Sequence, residues 1–161
     1  MKKAAHILQI LATLLLISGV AATGENAEPV ASSPNPPVIA TVRIPNQPLA
    51  GGQTGEMVIA LRPAEGFHIN AEPPVRVSLD SAATVSLVGE PLQIVAETTG
   101  YLDPEAEVKQ RFRVTKNAAA GTHRLKITIT YFYCSDSEGW CRPFRHPVEL
   151  TLLVKPDPVK H

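Results

Sequence analysis

The chain has 161 residues, with 15 Lys and Arg against 15 Asp and Glu, five His, two Cys and 44% hydrophobic residues. Its formal charge is zero and no basic run occurs, which excludes the electrostatic footprint by which proteins grip nucleic acid or anionic lipid. The length suits one domain with flanking segments.

Met1-Lys2-Lys3 precede an apolar run from Ile7 to Val20, which closes on Val20-Ala21-Ala22. A positive start, an apolar stretch of about 14 residues and small residues at its end form the pattern of a secretory signal peptide over residues 1–22. The run is shorter than the roughly 20 residues that span a bilayer, so no stable membrane insertion is expected. No cysteine stands near the cleavage region to carry a lipid. Without Lys2 and Lys3 the remainder holds 13 basic and 15 acidic residues, a net charge of −2. Export leads to a compartment that permits disulfides, so the two cysteines are expected to pair.

Residues 23–37, TGENAEPVASSPNPP, are rich in Pro, Ser, Ala and Glu and read as a flexible linker. The domain is expected over residues 38–155, followed by a short tail at 156–161. Seven stretches within it have strand character: VIATVRI (38–44), EMVIALRP (56–63), VRVSL (75–79), TVSLVG (84–89), VKQRFRV (108–114), HRLKITITYFY (123–133) and VELTLLV (148–154). PNQPLAGGQTG, PAEGFHINAEPP and KNAAAGT between them carry loop and turn chemistry. No helical period persists over ten residues. Seven short strands in about 120 residues predict an all-β fold, an immunoglobulin-like antiparallel β-sandwich.

In RLKITITYFYC the alternation puts Leu125, Ile127, Ile129, Tyr131 and Tyr133 on a core face and Lys126, Thr128, Thr130, Phe132 and Cys134 on the other. A hairpin with Cys134 facing Cys141 sets Leu125 opposite Leu150, Ile127 opposite Val148 and Lys126 opposite Glu149. Apolar then meets apolar and opposite charges meet, as cross-strand pairing favours. Pro143 and Pro147 mark the second strand as an edge or a bulged strand.

Two roles for such a cystine stand side by side. As a strut it would close a short loop, worth about 2–3 kcal/mol by chain-entropy arguments. Yet neighbours on one hairpin are poorly placed to pin two sheets together, and a sandwich of this length buries a core without a staple. As a working part, a bond between directly opposite strand residues is somewhat strained, because their Cβ atoms lie about 4.5–5.5 Å apart and a relaxed disulfide wants about 3.8 Å. Strained or exposed cystines are the easily reduced ones. Nearby charge leaves the order of attack open, since Asp136 and Glu138 disfavour a thiolate whereas Arg142, Arg145 and His146 favour one.

ITYFYCSDSEGWCRPFRHPVELTLLV, preceded by EGFHINAEPP and TGYLDPEAEVKQRFRV, resembles the amino-terminal periplasmic domain of the thiol–disulfide interchange protein DsbD over about Val38 to Val154. The resemblance implies an immunoglobulin-like fold with Cys134 and Cys141 as a redox pair that needs no cofactor. It implies electron relay from a membrane-embedded thiol reductant to thioredoxin-like periplasmic proteins. Membrane and thioredoxin-like portions are not within these 161 residues, so the expected donor is another chain. It also implies a loop capping the cysteines, for which residues 99–107 are the candidate, with Tyr101 or Leu102 as the shield. The bland reading of that loop is a solvated acidic turn.

Trp140 and Phe144 are candidates for a partner-docking surface, with core or cap packing as the alternative. His68 reads as a turn residue with a satisfied hydrogen bond rather than a ligand. Cys134, Cys141 and His146 combine thiolate and imidazole, which suit copper or zinc, but supply no fourth ligand, and no metal is expected. A non-catalytic β-sandwich binding module with a structural cystine is the alternative to the exchange reading.

Overall fold

The computed structural model describes residues 37–80 and 84–156, and the seven expected strands become eight. They are β1 (Val38–Arg43), β2 (Thr54–Pro63), β3 (Phe67–Ile69), β4 (Arg76–Leu79), β5 (Val85–Leu92), β6 (Val108–Val114), β7 (Gly121–Ser135) and β8 (Cys141–Val154). The expected signal peptide, nearly all of the linker and the end of the tail lie outside the described residues. One antiparallel sheet runs β1-β2-β6-β5. In the other, β3 and β4 both pair with β7, which β8 also pairs with along most of its length. The expected all-β sandwich is thus the architecture observed. No helix among the described residues is long and apolar enough to cross a membrane.

Strand alternation builds the core. In β6, Val108, Gln110, Phe112 and Val114 are buried, while Lys109, Arg111 and Arg113 face water. In β7, Leu125, Ile127, Ile129, Tyr131 and Tyr133 are each at most 3% exposed, as their period-2 spacing predicts. Removing side chains of this size from water favours the folded state by about 1.5–3 kcal/mol apiece. Gln110 is the misfit in this apolar set. Its amide Nε2 donates to the carbonyls of Val88, Gly89 and Arg111 at 3.4, 3.1 and 2.8 Å. The β5–β6 register breaks between Val88 and Leu92, so the glutamine satisfies backbone groups beside that irregularity.

The hairpin of β7 and β8 holds one unbroken register from Gly121 opposite Val154 to Cys134 opposite Cys141. Leu125 faces Leu150, Ile127 faces Val148 and Lys126 faces Glu149, as expected; the Glu149 carboxylate itself takes the diagonal Arg124 at 3.4 Å. Ser135 N–H donates to Trp140 O, so pairs alternate outward from there between hydrogen-bonded and open. Pro143 and Pro147 both fall on open pairs, where the missing N–H would have pointed away from β7. Neither proline therefore costs a ladder bond, and both blunt an edge that offers few donors to a stray strand. Among the described residues β8 is an edge without a bulge, bridged only at its end, by a parallel bridge between Leu49 and Val154.

β3 was not expected. Three residues are too few to show alternation, and Gly66 and the Asn70–Pro74 stretch around them read as turn chemistry. It pairs with the last residues of β7, setting Phe67 opposite Ser135, His68 opposite Cys134 and Ile69 opposite Tyr133.

His146 sits opposite Ile129 on the core side of β8, tilted against Tyr131 and edge-on to Phe144. Partial burial holds its imidazole pKa below the usual value. Above the ordinary imidazole range, about 6.5, both folded and unfolded chains are neutral there; below it the unfolded chain binds the proton first. Stability is therefore lost as pH falls through that range. Urea titrations between about pH 7 and pH 5 should show this slope, and His146→Gln should flatten it. An unchanged slope in the variant would assign the effect elsewhere.

Candidate functional site at the hairpin cystine

A five-residue loop, residues 136–140, joins β7 to β8. Gly139 closes it at φ 68°, a left-handed conformation that favours glycine, and its N–H donates to Ser135 O at 3.0 Å. Ser135 Oγ accepts from Glu138 N–H at 3.3 Å. The loop thereby holds Cys134 and Cys141 on an open pair, where side chains approach most closely. They form a disulfide with Cα atoms 4.0 Å apart.

The two halves of this cystine differ in exposure. Cys134 is 2% exposed, although it lies on the face of β7 away from the core. Strand β7 has neighbours on both sides at this point, with His68 of β3 on one and Cys141 of β8 on the other. Cys141 belongs to the edge strand, has no strand beyond it among the described residues, and is exposed. An open cleft of about 460 Å³ lies over the pair, lined by His68, Asn70, Tyr101, the two cysteines, Ser135, Asp136 and Gly139.

The loop after β5 supplies the cleft's other wall. Val95 bridges Leu102 and Asn70 bridges Tyr101, so residues 95–102 form a small tongue laid against the end of β3. Leu102 N–H donates to Ile69 O at 2.9 Å. Of the two residues expected to shield the sulfurs, Tyr101 lines the cleft and stacks on the His68 ring, with centroids 3.5 Å apart and planes 12° from parallel. Leu102, 4% exposed, points into the core cluster and anchors the tongue. The rest of the 99–107 segment is tied by the Arg43–Glu107 ion pair and by Arg62, which donates to Pro104 O.

Trp140 and Phe144 lie on the other side of the sheet from the sulfurs. Phe144 faces Tyr131 on the core side of β8 and is 8% exposed. Trp140 is half-buried, edge-on to Tyr133 at 5.6 Å, with the Arg142 guanidinium 4.3 Å from its ring and its indole N–H donating to Glu138. Both rings extend the core beneath the hairpin end. His146, on that same side, does not converge with the cysteines, and no cluster of three metal-ligating side chains exists among the described residues.

Two residues of this site were read differently from sequence. His68, taken as a turn residue, is the cross-strand neighbour of Cys134. Asp136, taken only as a charge against a thiolate, is 2.5 Å from His68 Nδ1, which donates to it. The strand too short to recognise is what hid this pairing.

Fold and site together define a class: a two-sheet β-sandwich bearing a cystine that links a central and an edge strand of one sheet. No family model and no curated protein matches the chain. Among solved structures it is similar to the N-terminal domain of DsbD from Neisseria meningitidis in the reduced form, at 18% identity, with 68% of this chain and 82% of that one covered and a TM-score of 0.29. It is also similar to a conjugative transposon lipoprotein from Bacteroides eggerthii, at 13% identity, 72% and 96% coverage and a TM-score of 0.31. These likenesses concern the β-sandwich fold alone.

Proposed function

We propose that the chain is an exported thiol–disulfide exchange domain, relaying electrons through Cys134 and Cys141 between a membrane-embedded thiol reductant and thioredoxin-like periplasmic proteins. The observation that carries the reading is the exposure of Cys141 on an edge strand while Cys134 is covered. A visiting thiolate has an open approach to one sulfur and not to the other. The partners are those implied by the sequence resemblance.

In the reducing half-reaction a partner thiolate attacks Cys141 Sγ, the Cys134–Cys141 bond breaks, and Cys134 leaves with the electron pair and takes up a proton. The partner's second thiol, after losing its proton, attacks its own sulfur in the mixed disulfide and releases Cys141 as a thiolate. Two electrons have then entered the domain and the partner holds the new disulfide. Run in reverse against an acceptor disulfide, the same steps deliver them.

A structural cystine is the competing reading, favoured by the 2% exposure of Cys134. Equilibration with thioredoxin and glutathione buffers separates the two. Exchange requires a potential within reach of thioredoxin-like proteins, about −270 to −120 mV, with little change in melting temperature on reduction. A potential below about −300 mV with a loss near the 2–3 kcal/mol of loop-closure entropy would assign the bond to the scaffold.

A further inference from the structure

The β3–β7 pairing places a histidine beside the covered sulfur, and nothing in the exchange reaction described so far uses it. We infer that His68 is the proton-transfer partner of Cys134, oriented by Asp136 and Tyr101; the inference rests on the exchange reading of the cystine. Four observations carry it. His68 and Cys134 are directly opposite across two paired strands, which puts their side chains on the same face. The imidazole and both cysteines line one cleft. Nδ1 donates to Asp136 Oδ1 at 2.5 Å, so the neutral ring keeps its lone pair on Nε2, and Nε2 has no hydrogen-bond partner among the described residues. The Tyr101 ring stacked on the imidazole fixes the plane in which it turns.

The chemistry needs such a group. Cys134 is the leaving sulfur when Cys141 is attacked, and its covered site gives the departing thiolate poor access to water. Protonated His68 donates its Nε2 proton to Cys134 Sγ as the disulfide breaks, leaving a neutral imidazole and a thiol. In the opposite direction Cys141 thiolate opens an acceptor disulfide. Neutral His68 then takes the proton from Cys134, whose thiolate attacks Cys141 Sγ and expels the acceptor thiolate. Electrons come from and go to the partner sulfurs, and the proton returns to the ring that gave it. Asp136 steadies the imidazolium and sets the tautomer, which makes it a positioning residue.

The titratable groups facing His68 are Asp136 from the hairpin loop, Tyr101 from the tongue, and Cys134 and Cys141 from the two strands.

The test is reduction of the oxidised full chain by dithiothreitol from about pH 5 to about pH 8.5, with acid quenching, alkylation and mass measurement, and rates expressed per dithiothreitol thiolate. In the natural protein this corrected rate should rise as pH falls. His68→Gln should abolish the rise, running roughly tenfold slower at the acid end and converging on the natural protein at the alkaline end. Asp136→Asn leaves β3 untouched and should move the rise to lower pH. A His68→Gln protein slowed equally at every pH, or one that keeps the rise, would overturn the inference and leave the exchange reading standing. A natural protein whose cystine does not exchange with a reduced thioredoxin-like protein at any pH would overturn both.

Discussion

Cys134→Ala leaves a protein that captures its partner as a mixed disulfide, and Cys141→Ala leaves one that does not. Turnover is lost in both, because each lacks one of the two sulfurs that must bond and part. The difference lies in what the surviving sulfur can reach. With Cys134 removed, Cys141 remains on the edge strand, exposed beside the cleft, and attacks a thioredoxin-like disulfide without a second thiol to resolve the product. With Cys141 removed, the surviving Cys134 is flanked by β3 and β8 and is 2% exposed in the parent fold. Capture should differ by at least about tenfold, since exchange rates depend on access to sulfur as well as on the thiolate. Non-reducing electrophoresis of the exported fraction with each variant reads this directly. Equal capture by both variants would mean that covering by neighbouring strands does not govern the reaction.

Phe112→Ala should lower stability by about 3–5 kcal/mol, a large part of the 5–15 kcal/mol that ordinarily separates folded from unfolded domains. Phe112 is 0% exposed at the middle of β6 and packs between the sheets against Leu49 and the backbone of Gly55. The glycine allows this closeness, because a Cβ there would stand only 2.6 Å from the ring's Cζ. Truncation removes the apolar transfer energy and leaves a cavity bounded by both sheets, which the paired strands around it resist closing. Denaturant titration should show a lower midpoint with an unchanged slope. The ring belongs to the sheet opposite the hairpin, so the folded fraction should keep its cystine reactivity. A loss below about 1 kcal/mol would mean that the sheets close over the gap.

The different legibility of fold and site follows from how each is encoded. Core residues repeat every second position over seven residues in β6 and over the nine from Leu125 to Tyr133 in β7, long enough for the period to declare itself. The β7–β8 register was likewise readable, because apolar and charged pairs on the hairpin agree with the pairing of the two cysteines. Leu102 shows the limit of loop reading. Within GYLDPEAE nothing separates the residue that enters the core from the one that lines the cleft until the bridges to Asn70 and Val95 fix which way each faces.

By itself the sequence determined the β-class of the chain, the inward face of its strands, and the hairpin on which the two sulfurs meet, because these rest on short-range alternation and turn chemistry. Tertiary structure alone decided that β3 pairs with the end of β7 and that the tongue carries Tyr101 onto His68. It also decided that one sulfur is covered while its partner is open. Those outcomes depend on contacts between segments more than thirty residues apart, and whether a strand is central or at an edge is a property of the whole sheet, which no local pattern records.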